Sequence, residues 1–218
     1  MAGIQLVIAL AERDRGDKCM NALREYGGKL VLNSAGVGTA TGDMLRLLAI
    51  SRTEKSVVFA LCSEHTVMDA MAAAVVRSLA LVFSVSLDSI SAPLFQQEPA
   101  GASKREGVSS MNEAKYEVIV AMANRGCIDL VMNAARQAGA TGGTVIHARG
   151  TGSEGGEQFF GISLADERDI FFIVTPAADR NAIMQAIIRD AGLNSPAKAA
   201  VFSIPIQHIA GFPKFEVL

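Results

Sequence analysis

The chain repeats itself, and that limits its architecture more than any other feature. Shifting the sequence by 112 residues lays Ile4–Arg77 over Tyr116–Arg189 without a gap, with 17 identities in 74 aligned positions. The identical pairs include Ala9 and Ala121, Arg13 and Arg125, Asp17 and Asp129, Asn21 and Asn133, Gly27 and Gly139, Gly38 and Gly150, Thr39 and Thr151, and Arg77 and Arg189. Beyond Arg77 the register changes, and LVFSVSLDSI (81–90) matches AVFSIPIQHI (200–209) at a shift of 119. The second copy therefore carries 119 − 112 = 7 extra residues, within DAGLNSPAKA. Two copies of about 100 residues are each large enough to bury a core. The expected division is repeat 1 at 1–91, a linker rich in Pro, Gly, Ser and charge at 92–114, and repeat 2 at 115–218.

Within a copy the apolar periodicity switches between strand and helix spacing. In repeat 2, YEVIVAMA is too short for a core helix and suits a central strand. In CIDLVMNAARQAG, Ile128, Val131, Met132 and Ala135 fall at i, i+3, i+4 and i+7, and Gly139 follows as the stop. GTVIHARG and DIFFIVTP read as strands, RNAIMQAIIRDAG as a second amphipathic helix ended by Gly192, and AAVFSIPI as a fourth strand. The order is β-α-β-β-α-β, so the expected fold class is α+β: tandem ferredoxin-like units, each an antiparallel sheet with helices on one face. Strands as apolar on both sides as Phe171–Val174 imply that the second face is covered too, which predicts association of domains through their sheets.

Composition removes several function classes. Half the residues are hydrophobic, 19% are charged, and the net charge is −2, which gives no electrostatic pull toward nucleic acid or anionic membrane. The opening apolar run, Ile4–Ala11, is short and has no basic segment before it, so it reads as a strand and not a signal peptide. No window reaches membrane-spanning length, since even Ala70–Val85 is interrupted by Arg77 and Ser78. Three scattered cysteines, Cys19, Cys62 and Cys127, make no zinc pattern and fit a reducing cytoplasm. No serine elbow, zinc-protease helix or phosphate-loop lysine motif occurs, and the expectation is a non-enzyme without cofactor or metal.

The stretch YEVIVAMANRGCIDLVMNAARQAGATGGTVIHARGTG resembles the opening of PII signalling proteins, with a G-x-x-G-x-T-V strand at Gly139–Val145 and an R-G-x-G turn at Arg149–Gly152. SEGGEQFFGISLADER then stands where that family has its T-loop, and the later strand, helix and strand keep the family's order. The resemblance implies a regulatory protein that senses a small effector, an adenine nucleotide (ATP, ADP or AMP) or related anion, at an interdomain cleft. It would signal through a T-loop-like segment, Thr151–Arg168, in nitrogen or carbon metabolism. By position it implies nucleotide contacts at Thr144, Gly150, Thr151, Gly152 and Lys198. Glycines let backbone N–H groups approach a phosphate, and one ammonium supplies counter-charge. It further implies a homo-oligomer, a trimer, acting on a target protein that the sequence does not name. A membrane transporter is one candidate target, without insertion of this chain.

Two other readings share these residues. Ser195, Pro196 and Ala197 precede Lys198 where the family has a glycine-rich acidic loop, and this favours a ligand-free interaction scaffold. A tandem ACT-type regulator binding an amino acid has the same strand order. Repeat 1 lacks the seven extra residues and is expected to be structural. Arg13 and Arg125 read as ion-pair residues near helix starts, His147 as a packed or surface histidine, and the cysteines as small core residues.

Overall fold

Apolar alternation that suits strands and i, i+3, i+4 spacing that suits helices produce the expected elements in a computed structural model. It describes residues 3–39, 53–87, 115–149, 158–159, 162–163 and 167–211. The predicted linker 92–114 lies outside the described residues. The elements are β1 (Ile4–Glu12), a 3₁₀ turn (Arg13–Arg15), α1 (Gly16–Glu25), β2 (Lys29–Gly38), β3 (Thr53–Ser63), α2 (Val67–Ser78) and β4 (Leu81–Leu87). They continue with β5 (Tyr116–Asn124), α3 (Ile128–Gln137), β6 (Thr144–Arg149), β7 (Gln158–Phe159), β8 (Ile162–Ser163), β9 (Glu167–Pro176), α4 (Arg180–Ala191), β10 (Ala200–Pro205) and β11 (His208–Ala210). No helix among the described residues is long and apolar enough to cross a membrane.

The chain forms two compact units, and each takes one segment from the other repeat. Unit 1 comprises Met1–Ser34, Ser56–Ala114 and Ile206–Leu218; unit 2 comprises Ala35–Lys55 and Lys115–Pro205. In unit 1 the strand order is β2-β3-β1-β4-β11. Alternate residues of β1 (Val7, Ala9, Ala11) pack with Cys19, Leu23, Met71, Ala74 and Val82 to make its core. In unit 2 the order is β10-β5-β9-β6, and Gly36–Gly38 of β2 add antiparallel to β6. Its core sets Ile119, Ala121, Phe171 and Ile173 against Val131, Met132, Ile183 and Ile187. Both units are the antiparallel, helix-covered βαββαβ arrangement expected of the sequence.

The repeat holds at the level of strand register. In unit 1, Leu6 pairs with Val85 and Ile8 with Phe83. In unit 2, Val118 pairs with Ile204 and Val120 with Phe202. These are the same pairs under shifts of 112 for the first strand and 119 for the last. Helices α1 and α3 coincide under 112, and Gly27 and Gly139 after them both take positive φ (+88° and +101°).

One part of the 112-residue alignment fails. The core positions Val58, Ala60, Ala70 and Ala74 correspond to Phe171, Ile173, Ile183 and Ile187, a shift of 113. Because side chains alternate faces along a strand, the 112 match of Phe59 to Phe171 sets a half-buried residue against a fully buried one. The Arg77 and Arg189 identity is therefore not a structural equivalence. Repeat 2 gains one residue between its first helix and the strand that follows the hairpin, that is, between the positions of α1 and β3.

Candidate functional site

The turn after β5 and the start of β9 meet because the two strands pair along their whole length, with Asn124 opposite Arg168 and Ala123 opposite Asp169. Three polar groups that a strand end would ordinarily give to water are fixed there. Arg168, only 9% exposed, donates through Nη1 to Asn124 Oδ1. Asn124 in turn donates through Nδ2 to Pro196 O (2.8 Å), and its backbone N–H donates to Ala197 O (2.8 Å). The loop that precedes β10 is thus pinned to β5 through one asparagine. Buried Ala197 anchors it from below, and Ser195 closes it by accepting from Ala197 N (3.2 Å, at Oγ) and Lys198 N (3.2 Å, at O).

Lys198 follows in the left-handed region, φ +45°, with an exposed side chain. That geometry turns the chain out of the loop and into β10 while leaving the ammonium facing solvent. It is where the sequence expected a phosphate-binding lysine. Thr144 lies elsewhere. It opens β6, is 5% exposed, and stands opposite Phe172 on one side and Gly38 on the other. From Thr144 the register runs through Phe172 and Val120 to Phe202 in β10, and Lys198 precedes Phe202 by four residues. Three interstrand steps and four residues of rise separate the two by roughly 19 Å, so unit 2 does not bring Thr144 and Lys198 together. Gly150, Thr151 and Gly152 lie outside the described residues. Within the expected T-loop segment, β7 and β8 form a short hairpin with Gln158 opposite Ser163, and β9 begins at Glu167, inside that segment.

Sequence reasoning missed a second feature of the same strand end. Asp169 is fully buried and accepts from His147 Nδ1–H through Oδ1 (2.6 Å) and from Gly126 N–H through Oδ2 (3.1 Å). The pairing fixes the imidazole so that Nε2 is the nitrogen left for solvent or a ligand, and His147 keeps 46% side-chain exposure. Arg125 pairs with Glu167 beside it, as expected of an ion-pair residue near a helix start. Nothing local in the sequence marks Asp169; the only signal is an aspartate at the mouth of an otherwise apolar strand. Exposed Lys198, exposed Arg149 and His147 are suited to contacting an anion, each from a backbone held by the sheet. No group of three or more metal-ligating side chains occurs among the described residues.

The family model described as nitrogen regulatory protein P-II matches residues 116–212. Among solved structures, the PII protein of Arabidopsis thaliana bound to citrate is 20% identical over 44% of this chain and 78% of its own, with a TM-score of 0.33. A microcompartments protein from Desulfitobacterium hafniense is 11% identical over 95% of this chain and 97% of its own (TM-score 0.30). An unknown protein from Galdieria sulphuraria is 10% identical over 93% and 97% (TM-score 0.27). A search of curated proteins found no match.

Proposed function

We propose that the chain is a cytoplasmic, non-enzymatic regulator of the PII kind, a reading supported by the match of residues 116–212 to the family model described as nitrogen regulatory protein P-II. It senses a small anionic effector, an adenine nucleotide or a compound of similar charge, and signals through the segment Thr151–Arg168. The observation that carries this reading is Lys198. It stands in the P-II-matching region, its side chain faces solvent, and its loop is held by Asn124. Because Thr144 and Lys198 are far apart within unit 2, a pocket that uses both takes them from two copies. A homo-oligomer, a trimer in the family manner, supplies that arrangement.

The test is a thermal-shift panel of adenine nucleotides, 2-oxoglutarate, bicarbonate and amino acids on the full chain. A ligand at 100 times its Kd adds about 2.7 kcal/mol of stability. An adenine nucleotide should raise Tm, and Lys198→Ala should weaken its binding about ten- to a hundredfold, the value of a charge-assisted contact of roughly 1.5–3 kcal/mol. Stabilisation only by an amino acid would favour the ACT-type reading instead. Pro196 supports a second reading, because it has no N–H to offer a phosphate and its carbonyl is already occupied by Asn124. If no compound on the panel shifts Tm, the chain acts as an interaction scaffold.

A further inference from the structure

We propose that His147 and Arg149 form a proton-linked oxyanion site, which takes a phosphate or carboxylate group together with one proton. The two repeats serve as controls for each other. Asp169 lies two residues before Phe171 and Ser56 two before Val58, so the shift of 113 sets Asp169 against Ser56. Both are buried, and both secure the turn after the first strand of their unit: Ser56 Oγ donates to Arg13 O (3.3 Å), and Asp169 Oδ2 accepts from Gly126 N–H (3.1 Å). A neutral hydroxyl therefore suffices to hold that turn. A fully buried carboxylate loses solvation that a serine keeps to a lesser degree, and here its second oxygen accepts from His147 Nδ1–H (2.6 Å). Neither β2 nor β3 contains a histidine. What the buried charge adds in repeat 2 is an exposed imidazole held in one tautomer.

That tautomer decides what His147 can bind. With Nδ1–H committed to Asp169, the neutral ring presents a bare Nε2 lone pair, which repels an anion. A second proton turns Nε2–H into a charged donor, so an oxyanion and a proton bind together. The neighbouring charges point the same way. On the sheet face that His147 and Asp169 share, Arg149 and Glu167 form the next cross-strand pair, and Glu167 gives its carboxylate to Arg125. The two arginines balance Glu167 and Asp169, so this cluster gains net positive charge only when His147 is protonated. Of the other ionisable groups nearby, Arg168 lies on the opposite face with Asn124, Cys127 packs against the core, and Asp129 is exposed in the first turn of α3. His147 and Arg149, both exposed, stand two residues apart on β6, about 7 Å between backbones, a span that a guanidinium and an imidazole close around one oxyanion. β6 ends at Arg149 and β9 begins at Glu167, so the site lies at both feet of the segment given the signalling role. Lys198 precedes β10, on the other side of unit 2, and takes no part, so the site does not rest on the nucleotide reading.

The experiment follows histidine titration by NMR on the full chain, isotopically labelled at its three histidines, with His147→Gln to assign the signal. In sodium sulfate, against sodium chloride of equal ionic strength, the His147 midpoint should rise by about half a pH unit, which corresponds to a roughly threefold preference of the anion for the protonated ring. Sulfate affinity is then full below the free midpoint and falls as pH rises toward the bound one. Arg149→Gln should shrink the rise. Asp169→Ser, which installs the residue that repeat 1 has at this position, should shrink it too, because the released neutral ring can present Nε2–H. Sodium oxalate separates the two ligand classes: a rise with sulfate marks a phosphate-type group, and a rise with oxalate alone marks a carboxylate. A His147 midpoint that is the same in all three salts, or that moves no more than those of His65 and His208, overturns the proposal. So does a rise that Arg149→Gln and Asp169→Ser both leave intact.

Discussion

At the residue scale, much rests on side chains whose partners are far away in sequence. Asn124 holds the loop before Lys198 from 72 residues away, and Arg168 holds Asn124 from 44. Asn124→Ala would remove one hydrogen bond of Arg168 and the one to the Pro196 carbonyl, so a loss of about 1–3 kcal/mol is expected in urea unfolding. On the proposed effector reading, nucleotide affinity should fall with it because Asn124 holds the loop before Lys198, and a full loss of binding with unchanged stability would contradict its positioning role. The solvent-facing position of Lys198 was legible in the sequence because it stands in an insertion next to a strand. Asn124, His147 and Asp169 were not, since a polar residue at a strand end reads the same whether it is solvated or tied down. Cys62 makes a second case, now with pH. Burial pushes its thiol up to about 11, so the neutral form is favoured in the folded chain. That contribution is fully present below the unfolded thiol pKa of about 8.5 and is lost as pH rises through about 11. Unfolding midpoints should therefore fall between pH 9 and pH 11, and Cys62→Ala should flatten the fall. An equal slope in both chains would remove Cys62 as its cause.

At the element scale, the boundaries follow from local chemistry, and two glycines at helix ends separate two reasons for glycine. Gly139 ends α3 at φ +101° with nothing within 4 Å of an added Cβ, so Gly139→Ala costs only left-handed strain, about 1 kcal/mol. Gly192 ends α4 at φ −69°, an ordinary value, but an added Cβ would lie 2.1 Å from Ile188 O. A backbone atom cannot step aside as a side chain can. Gly192→Ala should cost more than Gly139→Ala in chemical denaturation, and the reverse order would mean the last turn of α4 relaxes. Both stops were visible in the sequence as a glycine after an amphipathic run. What the sequence concealed was the one-residue change from a shift of 112 to 113 across β3 and α2. Identity counts cannot detect it, because Phe59 matches Phe171 and Arg77 matches Arg189 by chance in the wrong register. Only burial exposes it, through the face each residue presents to its core.

At the scale of the whole molecule, repeats and compact units divide the chain differently, and the difference carries a prediction. The order of elements was legible twice over in the sequence, but the exchange of segments was not: Thr39 lies in repeat 1 yet belongs to unit 2. Its backbone N–H donates to Gly143 O (2.8 Å), its hydroxyl donates to the same oxygen (2.9 Å) and accepts from Gly143 N–H (3.0 Å), and its carbonyl accepts from Arg136 Nη2 (2.5 Å). It is 2% exposed, so water does not replace these partners readily. Beside it, Gly36–Gly38 cover the outer side of β6. Thr39→Val keeps the shape, removes the hydroxyl and leaves Gly143 N–H unsatisfied, at a cost of about 1–3 kcal/mol. If unit 2 owns this residue, native-state hydrogen exchange should quicken at Gly143 and along Val118–Val120 and Phe171–Ile173. Protection at Val7–Ala9 and Val57–Ala60 in unit 1 should hold, because those amides open with a different cooperative body. Loss of protection in unit 1 with unit 2 unchanged would show that Thr39 answers to the repeat it is written in, and that β2 contributes to unit 2 no stability that β6 lacks alone.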